Sequence, residues 1–354
     1  MLFITSEEST NWRRLGEQAL QGDLTPDLPD YNLKRGLLPH FYFYLGGLLA
    51  SHNRHNEALD WYRSGALLED GMFNALMTAF MERNGGELRM PAVVFADPRP
   101  YEHFTTVPDV VALRERFISF AAASLPVATD PVTIMDVGCG DGSMLVLLLK
   151  RLQQAGQATE IERLILVDAS IAMLELASQK LGQAFPGVVV EKRHGRIQEL
   201  AADLPQGITI ALMSLSYHHM PWDDKALHLR ELAGKVDNLL LMELDGDNDI
   251  PELNSPELAV SVYQSYGPLM DSIFAHDAPV EVSQRCVDNF LMAEVVSLLT
   301  ESRGVRNDYH MLRSQWAQLF AENLTGHVCQ GETTVMISDG CELFGCHWGK
   351  RTAQ

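Results

Sequence analysis

The sequence predicts an α/β protein with a doubly wound, mostly parallel seven-stranded sheet that ends in a C-terminal antiparallel hairpin. Three observations predict it. From Val132 onward, short apolar runs with strand character alternate with helical patterns. The first strand–helix junction is the glycine-rich stretch "MDVGCGDGS", residues 135–143. The closing segment "HVCQGETTVMISDGCELFGCHWGK" (327–350) alternates about Asp339-Gly340, a strong hairpin turn signal. In such a sheet ligands sit beyond the carboxyl ends of the strands.

Residues 1–95 read as a helical N-terminal domain: "NWRRLGEQAL", then Pro39 to Arg83. Within it Tyr42, Leu45, Gly46, Leu49, Ala58, Tyr62 and Ala66 nearly follow the roughly 34-residue tetratricopeptide spacing. The stretch resembles a single tetratricopeptide repeat. A lone repeat cannot form a solenoid, because each unit needs neighbours to bury its apolar face. It is expected to pack as a helical hairpin on the sheet domain or on a second subunit, giving a possible homodimer. The proline-bearing connector "VVFADPRPYEHFTTVPD" (93–109) leads to a helix from Val110 to Leu125. The domain that follows runs over residues 96–354.

The strand Val132 to Met135 enters the glycine loop, and a helix pattern from Met144 to Leu152 leaves it. Glycines let a ligand approach the backbone, and the helix N-terminus offers N–H groups to negative charge. Nucleotide triphosphate, dinucleotide and S-adenosylmethionine (SAM) compete for such a loop. No Lys-Ser or Lys-Thr follows the glycines, and Ser143 stands where the dinucleotide fingerprint needs its third glycine. The pattern present is D-x-G-x-G-x-G: Asp136, Gly138, Gly140 and Gly142. It resembles motif I of the class I SAM-dependent methyltransferases of small-molecule type. That resemblance implies a Rossmann-like sheet, with the acid facing the cationic part of SAM and the glycines clearing room for its methionine moiety.

The later strands extend the resemblance. "ERLILVDAS" (162–170) ends in Asp168 and Ala169, where the family places the acid that holds the ribose hydroxyls. A helix from Ile171 to Leu181 follows. After the third strand, in "GVVVEKRHGRIQEL" (187–200), Arg196 and Ile197 stand at the positions that flank adenine; an acid is common there, and Arg196 departs from that pattern. "GITIALMSLSYHHM" (207–220) supplies the fourth strand, whose tail from Ser214 resembles motif IV, and "VDNLLLMELDGD" (236–247) supplies the fifth. At the end of the fourth strand His218 is the expected general base, with Tyr217 and His219 beside it. Histidine suits that role near neutral pH. Ser214-Leu215-Ser216-Tyr217 replaces the N-P-P-Y or D-P-P-Y of enzymes that methylate base or amide nitrogens.

Between the fifth strand and the helix "RSQWAQLFAENL" (313–324) lies an insertion at about 250–312, read as two or more helices (Pro256 to Phe274, Val282 to Leu299). It is expected to cover the site and to meet the substrate through Tyr263, Tyr266, His276, Tyr309 and His310. An amphipathic pair that merely closes the core is the plainer alternative.

Composition bounds the rest. The 354 residues are 46% hydrophobic, enough for a sizeable core, and carry a formal charge of −20. Such acidity speaks against nucleic-acid or anionic-membrane partners, which need clustered Lys and Arg. No run of 18 apolar residues and no leader pattern at Met1 is present. Five scattered cysteines suit a reducing cytoplasm. Cys341, Cys346 and His347 lack a second ligand pair, so no metal is expected. The expected activity is SAM-dependent methylation of a small molecule of the sort found in secondary metabolism. One alternative keeps SAM but cyclises or cleaves its aminobutyrate arm, as azetidine-carboxylate synthases do, releasing methylthioadenosine. Another is an interaction protein with a vestigial site, which the intact Asp136, glycines and Asp168 oppose.

Overall fold

The structure is a computed structural model and describes residues 3–27, 33–91, 98–158, 160–338 and 341–351. Part of the 93–109 connector and the Asp339-Gly340 turn lie outside those residues. Seven strands, β1 (Val132–Val137), β2 (Ile161–Asp168), β3 (Val189–His194), β4 (Ile208–Ser214), β5 (Val236–Leu244), β6 (His327–Ser338) and β7 (Cys341–Lys350), form one sheet in the order β3-β2-β1-β4-β5-β7-β6. β1 to β5 pair in parallel, and β7 runs antiparallel to β5 from Asn238↔Gly349 to Leu244↔Leu343. The chain steps outward through β2 and β3, then returns to the other side of β1. Strand order therefore reverses between β1 and β4, the place where a doubly wound sheet opens a crevice at its carboxyl ends.

Two compact units divide the chain. The sheet unit comprises residues 95–245, 310–337 and 342–354. All six residues of β1 are buried, as expected for a central parallel strand covered on both faces. The helix Ser143–Gln154 buries Met144, Leu145, Leu148, Leu149 and Leu152, one apolar stripe at helical spacing. The helices Trp222–Leu232 and Arg313–Asn323 bring Leu229, Leu232, Trp316 and Phe320 onto the same core as Met135, Val167, Leu239 and Leu241. On β7, Cys346 joins this core, while the adjacent His347 turns to the other face and bonds Asn238 Oδ1 at 3.0 Å.

The helical unit comprises residues 1–94, 246–309 and 338–341. Its first helix, Ser6–Gln21, starts at a Thr5/Glu8 capping box. The helix Leu38–Ser51 is buried on nearly every side, with Phe41, Phe43, Leu45 and Leu49 inaccessible, and forms the centre of the unit. Its hairpin partner His55–Ala66 approaches so closely that a Cβ on Gly46 would lie 2.6 Å from the Tyr62 ring. Helices from the later segment complete the same interior. Leu299 packs at Gly47, Tyr263 donates to Glu69 at 2.7 Å, and Arg83 forms a two-pronged pair with Asp288 at 2.9 and 2.7 Å. Where one helix was expected from Val282 to Leu299, a π-helical turn at Val287–Leu291 separates Val280–Cys286 from Met292–Thr300. Among the described residues, no helix is long and apolar enough to cross a membrane.

Candidate active site at the carboxyl ends of β1, β2, β4 and β5

The glycine loop is wedged between two neighbours. Gly138 has φ +68°, and a Cβ there would lie 2.3 Å from that of Ser216. Gly140 has φ +51°, and its Cβ would stand 2.8 Å from the Tyr101 hydroxyl. Conformation and space both demand glycine at these positions. Backbone bonds tie the loop to β2: Gly138 and Cys139 donate to Val167 O at 2.8 and 3.1 Å. Asp168 adds a side-chain tie, its Oδ2 accepting from Gly140 N–H at 3.0 Å and its Oδ1 from Ser170 N–H at 2.8 Å.

The start of the following helix is less open to an anion than the sequence suggests. Asp141, salt-bridged to Lys180, accepts from the Ser143 N–H at 3.1 Å and from its hydroxyl at 2.6 Å. The loop's own aspartate caps the helix, so that N–H is not offered to a ligand.

Two buried polar atoms at the loop have no hydrogen-bond partner among the described residues. One is Asp136 Oδ2, at the end of β1. Burial, with Asp168 and Asp141 nearby, pushes the Asp136 carboxyl up to about 8, while Arg114 pulls the other way. The other is Arg114 Nε. This guanidinium is 5% exposed and donates to Ser143 Oγ at 3.1 Å and to the Tyr101 hydroxyl at 3.2 Å. A buried carboxylate needing a cation and a buried guanidinium with a donor to spare suit a zwitterionic amino-acid end, the end that SAM presents. The residues present fit that group.

The turn after β4 is the second half of the site. Leu215 has φ +51°, a left-handed conformation that costs an L-residue roughly 1–2 kcal/mol. Several bonds hold it. Leu215 N–H donates to Met242 O at 2.8 Å and Ser216 Oγ to Val137 O at 2.6 Å. Glu243, fully buried near the end of β5, accepts with Oε1 from the N–H groups of Ser216 (3.1 Å), Tyr217 (2.8 Å) and His218 (3.3 Å). Its Oε2 takes His218 Nδ1 at 2.7 Å. The His310 ring stacks on His218 at 4.0 Å, with Nδ1 3.7 Å from the same oxygen. Burial raises the Glu243 carboxyl from its ordinary range, opposed by His310, the Tyr217 N–H, Lys225 and His219. Burial, with His218 beside it, also drives His310 well below the usual histidine value, opposed by Glu243. Lys225 is inaccessible, with Nζ 4.6 Å from the Trp316 ring centre.

The other expected site residues divide. His219 is exposed, its ring 4.1 Å from that of His218. Tyr217 is corrected: its hydroxyl pairs with His228 Nδ1 and its ring packs near Trp316, so it belongs to the core rather than to a substrate contact. Ser214 closes β4 opposite Met242. Ala169 and Arg196 are exposed and Ile197 is buried. Glu199 accepts from the Arg196 N–H at 3.3 Å. Of the five substrate candidates, His310 lies in the sheet unit beside His218. Tyr263, Tyr266, His276 and Tyr309 belong to the helical unit. There Tyr263 packs tilted against His40 and bonds Glu69, Tyr266 is fully buried, and the Tyr309 hydroxyl accepts from Gly304 N–H at 3.0 Å. Tyr101, Arg114, Glu243 and Lys225 were not among the expected residues.

Strand order, glycine loop and the turn after β4 together define a methyltransferase fold of class I. Residues 134–236 match the family model described as "Methyltransferase domain". Domains of this class use SAM as methyl donor. No curated protein matches the sequence. Among solved structures, SCL7 of Oryza sativa is 14% identical, with 86% of this chain and 99% of that one covered at a TM-score of 0.59, a likeness of fold. A putative O-methyltransferase from Nostoc punctiforme is 12% identical over 68% of this chain and 57% of its own length, TM-score 0.39. Magnesium protoporphyrin IX methyltransferase from Synechocystis, crystallised with SAM, is 11% identical over 71% and 91%, TM-score 0.41.

Proposed function

We propose that this chain methylates a small molecule in the cytoplasm, with SAM as donor and an acceptor of the kind found in secondary metabolism. The observation that carries the reading is the buried Asp136 Oδ2 at the glycine loop, which has no hydrogen-bond partner among the described residues. In this reading Asp136 holds the cationic side of the donor and Arg114 Nε its carboxylate. The lone pairs of Asp168 not used by Gly140 and Ser170 hold ribose hydroxyls, and Ile197 lies against the adenine. When bound, SAM supplies a methyl group already activated by its sulfonium. His218 removes the acceptor's proton as the new bond forms. The −20 charge and the absence of N-P-P-Y after β4 support a small acceptor over a nucleic acid.

The test uses methyl-labelled SAM and a metabolite extract freed of macromolecules. Label recovered in low-mass product together with S-adenosylhomocysteine is expected. Methylthioadenosine formed without any acceptor would instead establish cyclisation or cleavage of the donor, and no SAM consumption would overturn both. On the acceptor so found, His218→Ala should lower turnover about a hundredfold or more, since proton transfer usually contributes 10²–10⁴.

A further inference from the structure

The peptide unit that joins Val137 to Gly138 is held at both ends. Its N–H donates to Val167 O on β2 at 2.8 Å, and its carbonyl accepts from Ser216 Oγ, just past β4, at 2.6 Å. Ser216 also packs against this unit, since a Cβ on Gly138 would lie 2.3 Å from its own. The glycine loop thus takes its starting direction from where Ser216 stands. Ser216 in turn follows Leu215, whose φ of +51° is unfavourable for an L-residue. Such a conformation persists only where its surroundings over-determine it. Glu243 on β5 provides the constraint: Oε1 accepts from the N–H groups of Ser216, Tyr217 and His218 at 3.1, 2.8 and 3.3 Å. Three successive N–H groups converge on one oxygen, and the carboxylate is inaccessible, so water does not compete for them. We propose that Glu243 is a positioning residue for the methyl donor: through the backbone of this turn and the Ser216 hydroxyl it sets the Val137–Gly138 peptide, and with it the loop on which SAM lies. This rests on the reading of the glycine loop as the donor site. Glu243 touches neither donor nor acceptor in this scheme, and of His218 only the backbone N–H takes part. A loop held in its bound shape loses less freedom on binding, so loosening it weakens the donor.

Ser216→Ala removes only the hydroxyl bond to Val137 O. By titration calorimetry SAM affinity should fall about fivefold, the loss typical of one hydrogen bond. With the donor absent, amide exchange followed by mass spectrometry should quicken in the peptide spanning residues 135–143. Glu243→Leu takes away the acceptor at similar volume, and should loosen the same peptide and weaken SAM about tenfold or more. Glu243→Gln keeps a carbonyl oxygen for the three N–H groups, so its SAM affinity should stay within about threefold of wild type. Because Glu243 acts through Ser216, adding Ser216→Ala to Glu243→Leu should cost less than Ser216→Ala costs alone. Unchanged loop exchange or unchanged affinity in Ser216→Ala overturns the proposal. So do fully additive effects in the double variant, or a folded glutamine variant as weak as the leucine one. If Glu243→Leu does not fold, Ser216→Ala and Glu243→Gln decide. A wild type that binds no SAM, while exchange in the loop changes as expected, would instead count against the donor-site reading.

Discussion

Asp168 holds the glycine loop from the neighbouring strand: its Oδ2 accepts the Gly140 N–H at 3.0 Å. The acid expected to grip ribose thus also shapes the surface on which the donor lies. Replacing Asp168 with alanine removes both contributions. SAM affinity should fall by about 1–3 kcal/mol, the range for losing a hydrogen bond to a charged group, or roughly 5- to 150-fold in Kd. Titration calorimetry measures it, and an unchanged affinity would remove Asp168 from the site.

Asp136 makes the stability of the free protein pH-dependent in a defined sense. Its carboxyl titrates near 8 when folded, against an ordinary value of 3.8. Between those values the folded protein holds a proton that the unfolded chain has released. Stability should therefore decline as pH rises from about 4 through about 8. Asp136→Asn should flatten that slope in denaturant titrations, and equal slopes for the two proteins would show that the carboxyl is not raised. Because a cationic ligand favours the ionised form, SAM binding below pH 8 should release a proton. The sign of the buffer dependence of calorimetric binding heats checks this.

Deleting residues 1–94 should not leave a well-behaved remainder. Tyr263 would lose Glu69, Leu299 would lose the face at Gly47, and Asp288 would lose Arg83. The helices from Pro256 to Thr300 would then expose apolar surface that now lies inside their own unit. Aggregation or a strong rise in binding of a hydrophobic dye is expected. A truncated protein that stays monomeric, folded and active would refute this account.

Much of the sheet was readable because its signals are local. Apolar runs and the loop 135–143 each announce an element within a few residues, and their alternation with helices points to a doubly wound sheet. Within the candidate site, a motif singles out Asp136 and Asp168, and the structure places both at the glycine loop. The site was missed where function depends on what folds against the motif. Arg114 occupies the buried stripe of the helix Pro108–Ser124, among Val110, Leu113, Phe117 and Ile118, so a charge on an apolar face was the available clue. Glu243 is the one acid within the buried run from Leu239 to Leu244, a similar clue. Tyr217 shows the converse. Its neighbourhood in sequence pointed to the substrate, yet its side chain turns inward to His228, and no spacing rule reveals which way a turn presents a ring.

The helical unit is assembled from pieces far apart in the chain, and this bears on how the protein is made. Residues 95–245 separate its first segment from the one that completes its interior. At roughly 5–20 residues per second, a ribosome needs on the order of ten to thirty seconds to cross that interval. For that time the helix Leu38–Ser51, apolar on almost every side, has emerged without Leu299 or Tyr263 to shield it. The nascent chain therefore passes through a stage at which the apolar helix at the centre of the helical unit still lacks the later helices that bury it.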